Sequence, residues 1–466
     1  MQRLRGVESL FLSIESRTNL FHVGAVALLD PSTAPPGTPP PAEALRQVVA
    51  QRLHLIPPFR RRPIPSPLGL DHGWWEELDT VDLEHHVRRG ALPSPGGPAE
   101  LAEYAADLLS RPMSRDRPLW EIHVVEGLEG DLVAGVVKIH HSVIDGVSGA
   151  EVTGRLMDLS PEVAPVADVR PLPPARPSLL GATAAGAARA AGRVPAVAGT
   201  AARAAGAARR LWERRRQREL HTPPALLSAP CTVLSAKVGT RRAVAFARVE
   251  LGEVEEVRAA TGVTINDVVL ALCGAALRSY LQDHGGVPDR PLVAMVPVST
   301  RQAHHGLADG VNRLSAMLVS LATTVEDPVV RLLAVSASAE AAKAQHQVIG
   351  PELFEAVLDA LPPSVTGALW RAITASSLVT VRPPFSCVVS NFPGPPMQLY
   401  CAGAALRAYH PFGPVVDGAA LNVTVASYRD QLGFGLLACR DAVPDLAALA
   451  ARIPEALHQL GKALVR

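Results

Sequence analysis

The stretch His140-His141-Ser142-Val143-Ile144-Asp145-Gly146 follows directly on the apolar run from Leu132 to Ile139. Side chains of successive strand residues project to opposite faces. A buried strand ending in two histidines therefore sends one imidazole to each side, and only one of them can face a given cavity. The Gly after the Asp, and the amphipathic run from Val147 to Met157 beyond it, read as a tight turn leading into a helix. A titratable ring then sits at the carboxyl end of a strand, where the turn leaves it open to a channel. Two further pairs, His85-His86 and His304-His305, lack this setting and read as ordinary core or rim histidines.

Length and composition fit a core-rich globular protein. At 466 residues the chain is long for one domain and comfortable for two. Apolar residues make up 48% of it but aromatics only 4%, so the cores should be built from Val, Leu and Ala. A formal net charge of +1 gives no electrostatic case for nucleic acid. Cys231, Cys273, Cys387, Cys401 and Cys439 are odd in number and show no CxxC spacing, which argues against a disulfide framework or a zinc site. Cys273 and Cys387 sit in apolar runs and read as core residues. Glu8, Glu15 and Arg17 interrupt the N-terminus before a signal-like apolar run forms. No uninterrupted apolar span reaches bilayer length. A cytoplasmic protein is expected.

One compositional seam divides the chain, giving segments 1–160, 161–230 and 231–466. The middle segment is rich in Ala, Arg, Pro and Gly, and between Arg170 and Arg218 it carries eleven arginines against one acid, Glu213. It reads as an interdomain crossover, helical from Ala182 onwards, with Pro195 as a break. As a solvated linker its charge needs no further role. With Ala, Leu211 and Trp212 opposite the arginines, it could also lie on an anionic membrane or lipid-droplet surface.

Both flanks alternate strands and helices. In the first, Gly24 to Leu29 reads as a strand, with Ala42 to Leu53 and Pro98 to Leu109 as amphipathic helices. In the second, strands are expected at Ala243 to Val249, Leu292 to Val298, Leu314 to Ala322, Phe385 to Ser390, Leu421 to Ser427 and Leu432 to Ala438. Asn266 or Thr264 caps a helix through Leu281, and Pro444 to Leu464 closes the chain as a helix. The expectation is an α/β protein of two mixed domains joined by a long link.

The heptad resembles the HHxxxDG signature of an acyltransferase superfamily that includes chloramphenicol acetyltransferase and peptide-synthetase condensation domains. Other blocks narrow the resemblance to the bacterial wax ester synthase/diacylglycerol acyltransferase family. They are Glu8-Ser9-Leu10-Phe11-Leu12 with Glu15-Ser16-Arg17 and His22-Val23-Gly24, then Pro57-Pro58-Phe59-Arg60-Arg61 and Arg117-Pro118-Leu119-Trp120-Glu121. The second half adds Asn266-Asp267-Val268-Val269-Leu270-Ala271, Pro297-Val298-Ser299-Thr300-Arg301 and Ser390-Asn391-Phe392-Pro393-Gly394-Pro395. The chain departs from the family pattern at Glu8, Ser235 and Phe392, and Val311 splits the usual Gly-Asn pair into Gly310-Val311-Asn312. None of these touches the heptad.

The resemblance implies two chloramphenicol-acetyltransferase-like mixed-sheet domains, forming a pseudo-dimer with a tunnel at their interface. It implies transfer of a long-chain acyl group from acyl-CoA to diacylglycerol or a long-chain alcohol. Such transfer needs a base for the alcohol proton and donors for the oxyanion. The family's base is the second histidine, here His141, leaving His140 structural. Asp145 would be structural too, held by an arginine for which Arg60 is the candidate, and Gly146 would permit the turn. The resemblance places Asn266 and Asp267 near the site, with Asn266 as an oxyanion contact, although Asn at a helix start is most simply a cap. Ser299, Arg301, Ser390 and Asn391 fall at or after strand ends, where they line the tunnel or tie the domains together.

Ser142 and Ser148 lack a G-x-S-x-G elbow, so direct transfer without an acyl-enzyme is the default. Adjacent strand histidines diverge and no second ligand cluster completes a metal site. No cofactor is expected; acyl-CoA is a co-substrate, held by tunnel shape and scattered basic residues. Two alternatives stay open: an acyltransferase for a specialised alcohol, and a non-catalytic lipid-binding protein that keeps the tunnel.

Overall fold

The strand that ends in the histidine pair runs Val133–His140 and is buried at all but one position, as a Val-rich strand covered on both faces should be. The computed structural model describes residues 2–66, 69, 71–144, 146–166, 179–216, 223–299, 314–350 and 352–465.

In chain order the first half contributes β1 (Gln2–Arg3), α1 (Gly6–Ile14), β2 (His22–Asp30), α2 (Pro41–Arg52), β3 (Arg61–Ile64) and β4 (Trp74–Glu77). It continues with α3 (Leu83–His86), β5 (Val87–Ala91), α4 (Pro98–Leu109), β6 (Trp120–Glu126), β7 (Val133–His140) and α5 (Gly146–Leu156). The crossover is α6 (Leu179–Arg216). The second half holds β8 (Arg242–Glu250), α7 (Leu251–Thr261), α8 (Ile265–Asp283), β9 (Val293–Ser299), β10 (Leu314–Ser320) and α9 (Pro328–Ile349). Three helices follow, α10 (Leu353–Ala360), α11 (Pro363–Ala375) and α12 (Leu378–Val381). The chain closes with β11 (Cys387–Phe392), β12 (Tyr400–Cys401), β13 (Ala404–Phe412), β14 (Leu421–Tyr428), β15 (Gln431–Cys439) and α13 (Leu446–Leu464).

These strands form two six-stranded mixed sheets, ordered β12-β13-β2-β7-β6-β5 and β10-β9-β11-β14-β15-β8, with a small sheet β1-β4-β3 beside them. The expected α/β architecture of two mixed-sheet halves is what forms. Strand β7 lies inside the first sheet, antiparallel to β2 and β6, with His22 opposite His140 and Ala27 opposite Gly135.

The sheets do not follow the chain boundaries. Strands β12 and β13 belong to the second half of the sequence, yet β13 pairs antiparallel with β2 and completes the first sheet. Where β13 passes β15 the backbones touch. A Cβ on Gly433 would lie 2.0 Å from the Tyr409 carbonyl oxygen, and one on Gly435 would lie 1.9 Å from that of Pro411. Only glycine permits this approach, and it seats one sheet against the other.

The second sheet is covered by α8, α9 and α13, whose apolar faces form one large core with it. Thr264 caps α8: its Oγ1 accepts from the Asp267 N–H at 3.2 Å, and its own N–H donates to Asp267 Oδ2 at 3.0 Å. This is a reciprocal capping box.

The crossover differs from expectation at Pro195. Helix α6 runs through it rather than breaking. A proline has the φ of a helix, and an exposed one can leave the carbonyl it frees to water. The helix is also anchored: the carboxylate of buried Asp71 accepts from Arg3 Nη2 at 2.6 Å and Arg189 Nε at 2.9 Å, and pairs with Arg193.

Candidate active site

At the end of β7 the two imidazoles part, as strand alternation requires. The His141 N–H donates to the Phe21 carbonyl at 2.7 Å, fixing the turn against the start of β2. Its ring stacks on Phe11 of α1, centroids 4.6 Å apart and planes 20° apart. Nδ1 lies 3.0 Å from the Ile144 carbonyl. A carbonyl can only accept, so in the neutral ring Nδ1 carries the proton and Nε2 the lone pair.

His140 points the other way and is buried. Its Nδ1 accepts from the Ser142 N–H at 3.1 Å and lies 2.7 Å from Ser142 Oγ. Nε2 is 3.6 Å from Glu15 Oε1, and the His22 ring stands edge-on at 6.1 Å. Burial, then the neighbouring His22, Arg115 and His141, pushes the His140 pKa well below the usual imidazole value. Burial and the nearby Lys138 lower His22 to about 3. Both rings are neutral in the fold. Glu15 keeps its charge partner in Arg115, 2.7 Å away.

His141 opens into a cavity of about 1050 Å³ between the two halves. One wall is the inner face of the first sheet, where Val23, Ala25, Ala27 and Leu29 of β2 alternate alongside Val133, Gly135, Val137 and Ile139 of β7. The opposite wall carries the polar groups: Ser390 and Asn391 of β11, with Asn422 and Thr424 of β14. Ser390 and Thr424 are register partners, and Thr424 Oγ1 donates to Asn422 Oδ1 at 2.7 Å. Gly37, Pro40 and Phe354 both line the cavity and are exposed, so it reaches the surface near the loop before α2 and near α10.

The sequence candidates distribute as follows. His141, Ser390 and Asn391 line the cavity. Gly146 is the first residue of α5, whose Gly149, Val152, Thr153 and Leu156 also line it. Asp145 and Arg301 lie outside the described residues, as does the side chain of Ser299, which ends β9. Among the described residues Arg60 meets Glu77 at 3.5 Å and donates to the Leu78 carbonyl at 3.2 Å. Asp267 serves the α8 cap and accepts from Ser336 Oγ at 3.2 Å. Neither Asp267 nor Asn266 is among the cavity-lining residues; Thr264, not Asn266, is the cap.

Residues that sequence reasoning left without a role complete the site. Phe11 supports the His141 ring, and Glu15 and His22 pack behind His140. The signal for Asn422 and Thr424 was present: polar residues at i and i+2 of a run that is otherwise a buried apolar strand.

The matched family models settle the identity. The model described as wax ester synthase/diacylglycerol acyltransferase catalytic domain matches residues 4–269, and the WS/DGAT C-terminal domain matches residues 311–461. The chain belongs to the wax ester synthase/diacylglycerol acyltransferase family. It is an acyl-CoA-dependent O-acyltransferase. Within this family it is 38% identical over 462 residues to "Probable diacyglycerol O-acyltransferase tgs2" of Mycobacterium tuberculosis, covering 98% of each chain. The wax ester synthase/diacylglycerol acyltransferase of Marinobacter aquaeolei VT8 superposes with a TM-score of 0.71 at 30% identity, covering all of both chains. The first condensation domain of the CDA synthetase shares the fold at a TM-score of 0.57 and 15% identity, over 99% of this chain and 96% of that one. No single helix among the described residues is long and apolar enough to cross a membrane.

Proposed function

We propose that this family member transfers a long-chain acyl group directly from acyl-CoA to the hydroxyl of diacylglycerol or a long-chain alcohol, with His141 as general base. Nε2 of His141 takes the hydroxyl proton as the acceptor oxygen attacks the thioester carbonyl. The tetrahedral intermediate then collapses, breaking the C–S bond. The imidazolium returns its proton to the departing CoA thiolate, giving ester and free thiol. Hydrogen bonding to Ile144 and stacking on Phe11 hold the ring in one tautomer and one orientation. Ser390, Asn391, Asn422 and Thr424 are the polar groups available to the oxyanion or the acceptor.

The observation that carries this reading is that His141 is the one imidazole lining the cavity among the described residues. The other titratable groups there do not compete. Burial pushes the Cys401 thiol and the Tyr409 phenol each up to about 12, so neither supplies a base or an activated nucleophile near neutral pH. This favours direct attack over a covalent acyl-enzyme.

A peripheral position at a membrane or lipid droplet belongs to the same reading, because the acceptors are water-insoluble. The crossover offers less charge for it than its composition implies. Arg189 and Arg193 are committed to Asp71, while Arg209, Arg210, Trp212 and Arg216 stay exposed near the end of α6.

The test is a panel of acceptors with palmitoyl-CoA, following thiol release and identifying the product. Ester formed with diacylglycerol or hexadecanol, and no thiol released without an acceptor, is expected. Tight lipid binding with no ester from either acceptor would overturn the reading.

A further inference from the structure

We propose that the outward face of α11 and α12 is the surface by which this enzyme rests on an anionic lipid bilayer. This deepens the reading above, on which it rests for its rationale.

Helix α11 packs on α1 through Thr366 and Gly367, where a Cβ on Gly367 would lie 3.2 Å from the Ser13 carbonyl. That contact fixes which side faces out. At helical spacing the outward side carries Val365, Ala368, Leu369 and Ala372, all exposed. A helix on a soluble surface normally places charged residues there. Leu378 and Val381 of α12 extend the face at 50% and 67% exposure, beside Leu369 at 58%. The chain also passes α12 at Cys231, whose Sγ lies 3.2 Å from the Thr380 carbonyl, a few residues after exposed Leu226 and Leu227.

Charge selects the partner. Residues 361–386 contain two cations, exposed Arg371 and Arg382, and no acid. An exposed apolar surface whose own segment carries only positive charge matches anionic headgroups over acyl chains. A second copy of the same face would set arginine against arginine. The acids nearest in sequence are Glu352, just before α10, and Glu355 and Asp359 within it; Asp359 is exposed but tied to the start of α1, where it accepts the Gly6 N–H at 2.6 Å.

Position supplies the reason for the face. Trp370 of α11 and Phe354 of the preceding helix α10 line the cavity, and Phe354 is exposed at its rim. Docked here, a bilayer would meet the cavity opening, and an apolar acceptor could pass in without crossing water.

The experiment uses the full-length protein and flotation with phosphatidylcholine vesicles, with or without phosphatidylglycerol. Leu369→Ser/Val381→Ser should lose most vesicle binding. Arg371→Ala/Arg382→Ala should weaken binding to phosphatidylglycerol vesicles by roughly 25-fold, the product of two surface charges near an anionic leaflet. Val330→Ser/Leu333→Ser removes comparable exposed apolar residues from α9 and should bind as wild type. Activity on a short soluble alcohol should be unchanged in every variant, so loss of docking is read apart from loss of chemistry. Wild type failing to float, the α11–α12 variants binding like wild type, or the α9 control losing as much would overturn the proposal. So would a dimer in sedimentation that only Leu369→Ser/Val381→Ser dissolves.

Discussion

His140 and His141 are neighbours in sequence whose rings lie on opposite faces of the first sheet. His141 stacks on Phe11 in the cavity, while His140 is sealed against Ser142, Glu15 and His22. The two substitutions should therefore fail in different ways. His141→Ala is expected to keep its melting temperature and lose about 10²–10⁴-fold in kcat. His140→Ala should lower stability by about 1–3 kcal/mol, because it removes the hydrogen bonds to Ser142 and leaves a cavity. Thermal unfolding measured beside kcat separates the two. Equal loss of stability in both would contradict the division of roles.

Stability should fall on acidification from below pH 6.5. Burial holds His22 at about 3, His86 and His410 each at about 4, and His140 well below its ordinary value. Such a ring takes up its proton only in the unfolded chain over this window, so the unfolded state gains as pH drops. The contribution is complete above 6.5 and is lost toward the folded value, at up to ~1.4 kcal/mol per pH unit for each ring. Urea unfolding at pH 7 and pH 5.5 tests this, and His22→Phe should show a shallower slope. A stability independent of pH over this range would contradict it.

Gly135 should govern how long a hydrocarbon chain the cavity accepts. It faces Ala27 across β2 and β7, and a Cβ there would meet nothing nearer than 3.9 Å. It stands six residues before His141, about 20 Å along the strand. Gly135→Leu would fill that space. The expected outcome is a roughly 10–200-fold loss of kcat/KM for sixteen-carbon substrates with eight-carbon ones retained. Varying acyl-CoA length and alcohol length separately identifies whose tail lies there. An unchanged length profile in both series would contradict the prediction.

Asp71→Asn should loosen the crossover. Burial alone would raise the Asp71 carboxyl, but hydrogen bonds and charge from Arg3 and hydrogen bonding from Arg189 outweigh it and hold it at about 2. Removing the charge weakens the ion pairs that Arg3, Arg189 and Arg193 share at this position, costing about 2–4 kcal/mol. Faster proteolysis within residues 179–216 would report it, and wild-type resistance would contradict it.

Much of this arrangement was legible in sequence because it depends on short periods. Expected and observed bounds agree for Pro98–Leu109, and within two residues for the strands at Val133–His140 and Leu421–Tyr428. The cavity-facing ring followed from alternation plus the family pattern. Strand β13 was not legible. It pairs with β2, with Phe412 opposite Gly24, and no local pattern records a partner that far away. The exchange depends instead on Gly433 and Gly435, whose meaning appears only once the second backbone is in place. The anchoring of α6 on Asp71 was hidden for the same reason, since arginines on an Ala-rich helix look solvated until an acid is found beneath them.

The most direct test of the central claim is acceptor-dependent thiol release from palmitoyl-CoA by wild type and His141→Ala, both shown to be folded. The account predicts release with ester formation by wild type and a loss of about 10²–10⁴-fold in the variant. Release by His141→Ala at the wild-type rate would contradict it and require another group in the cavity to take the proton.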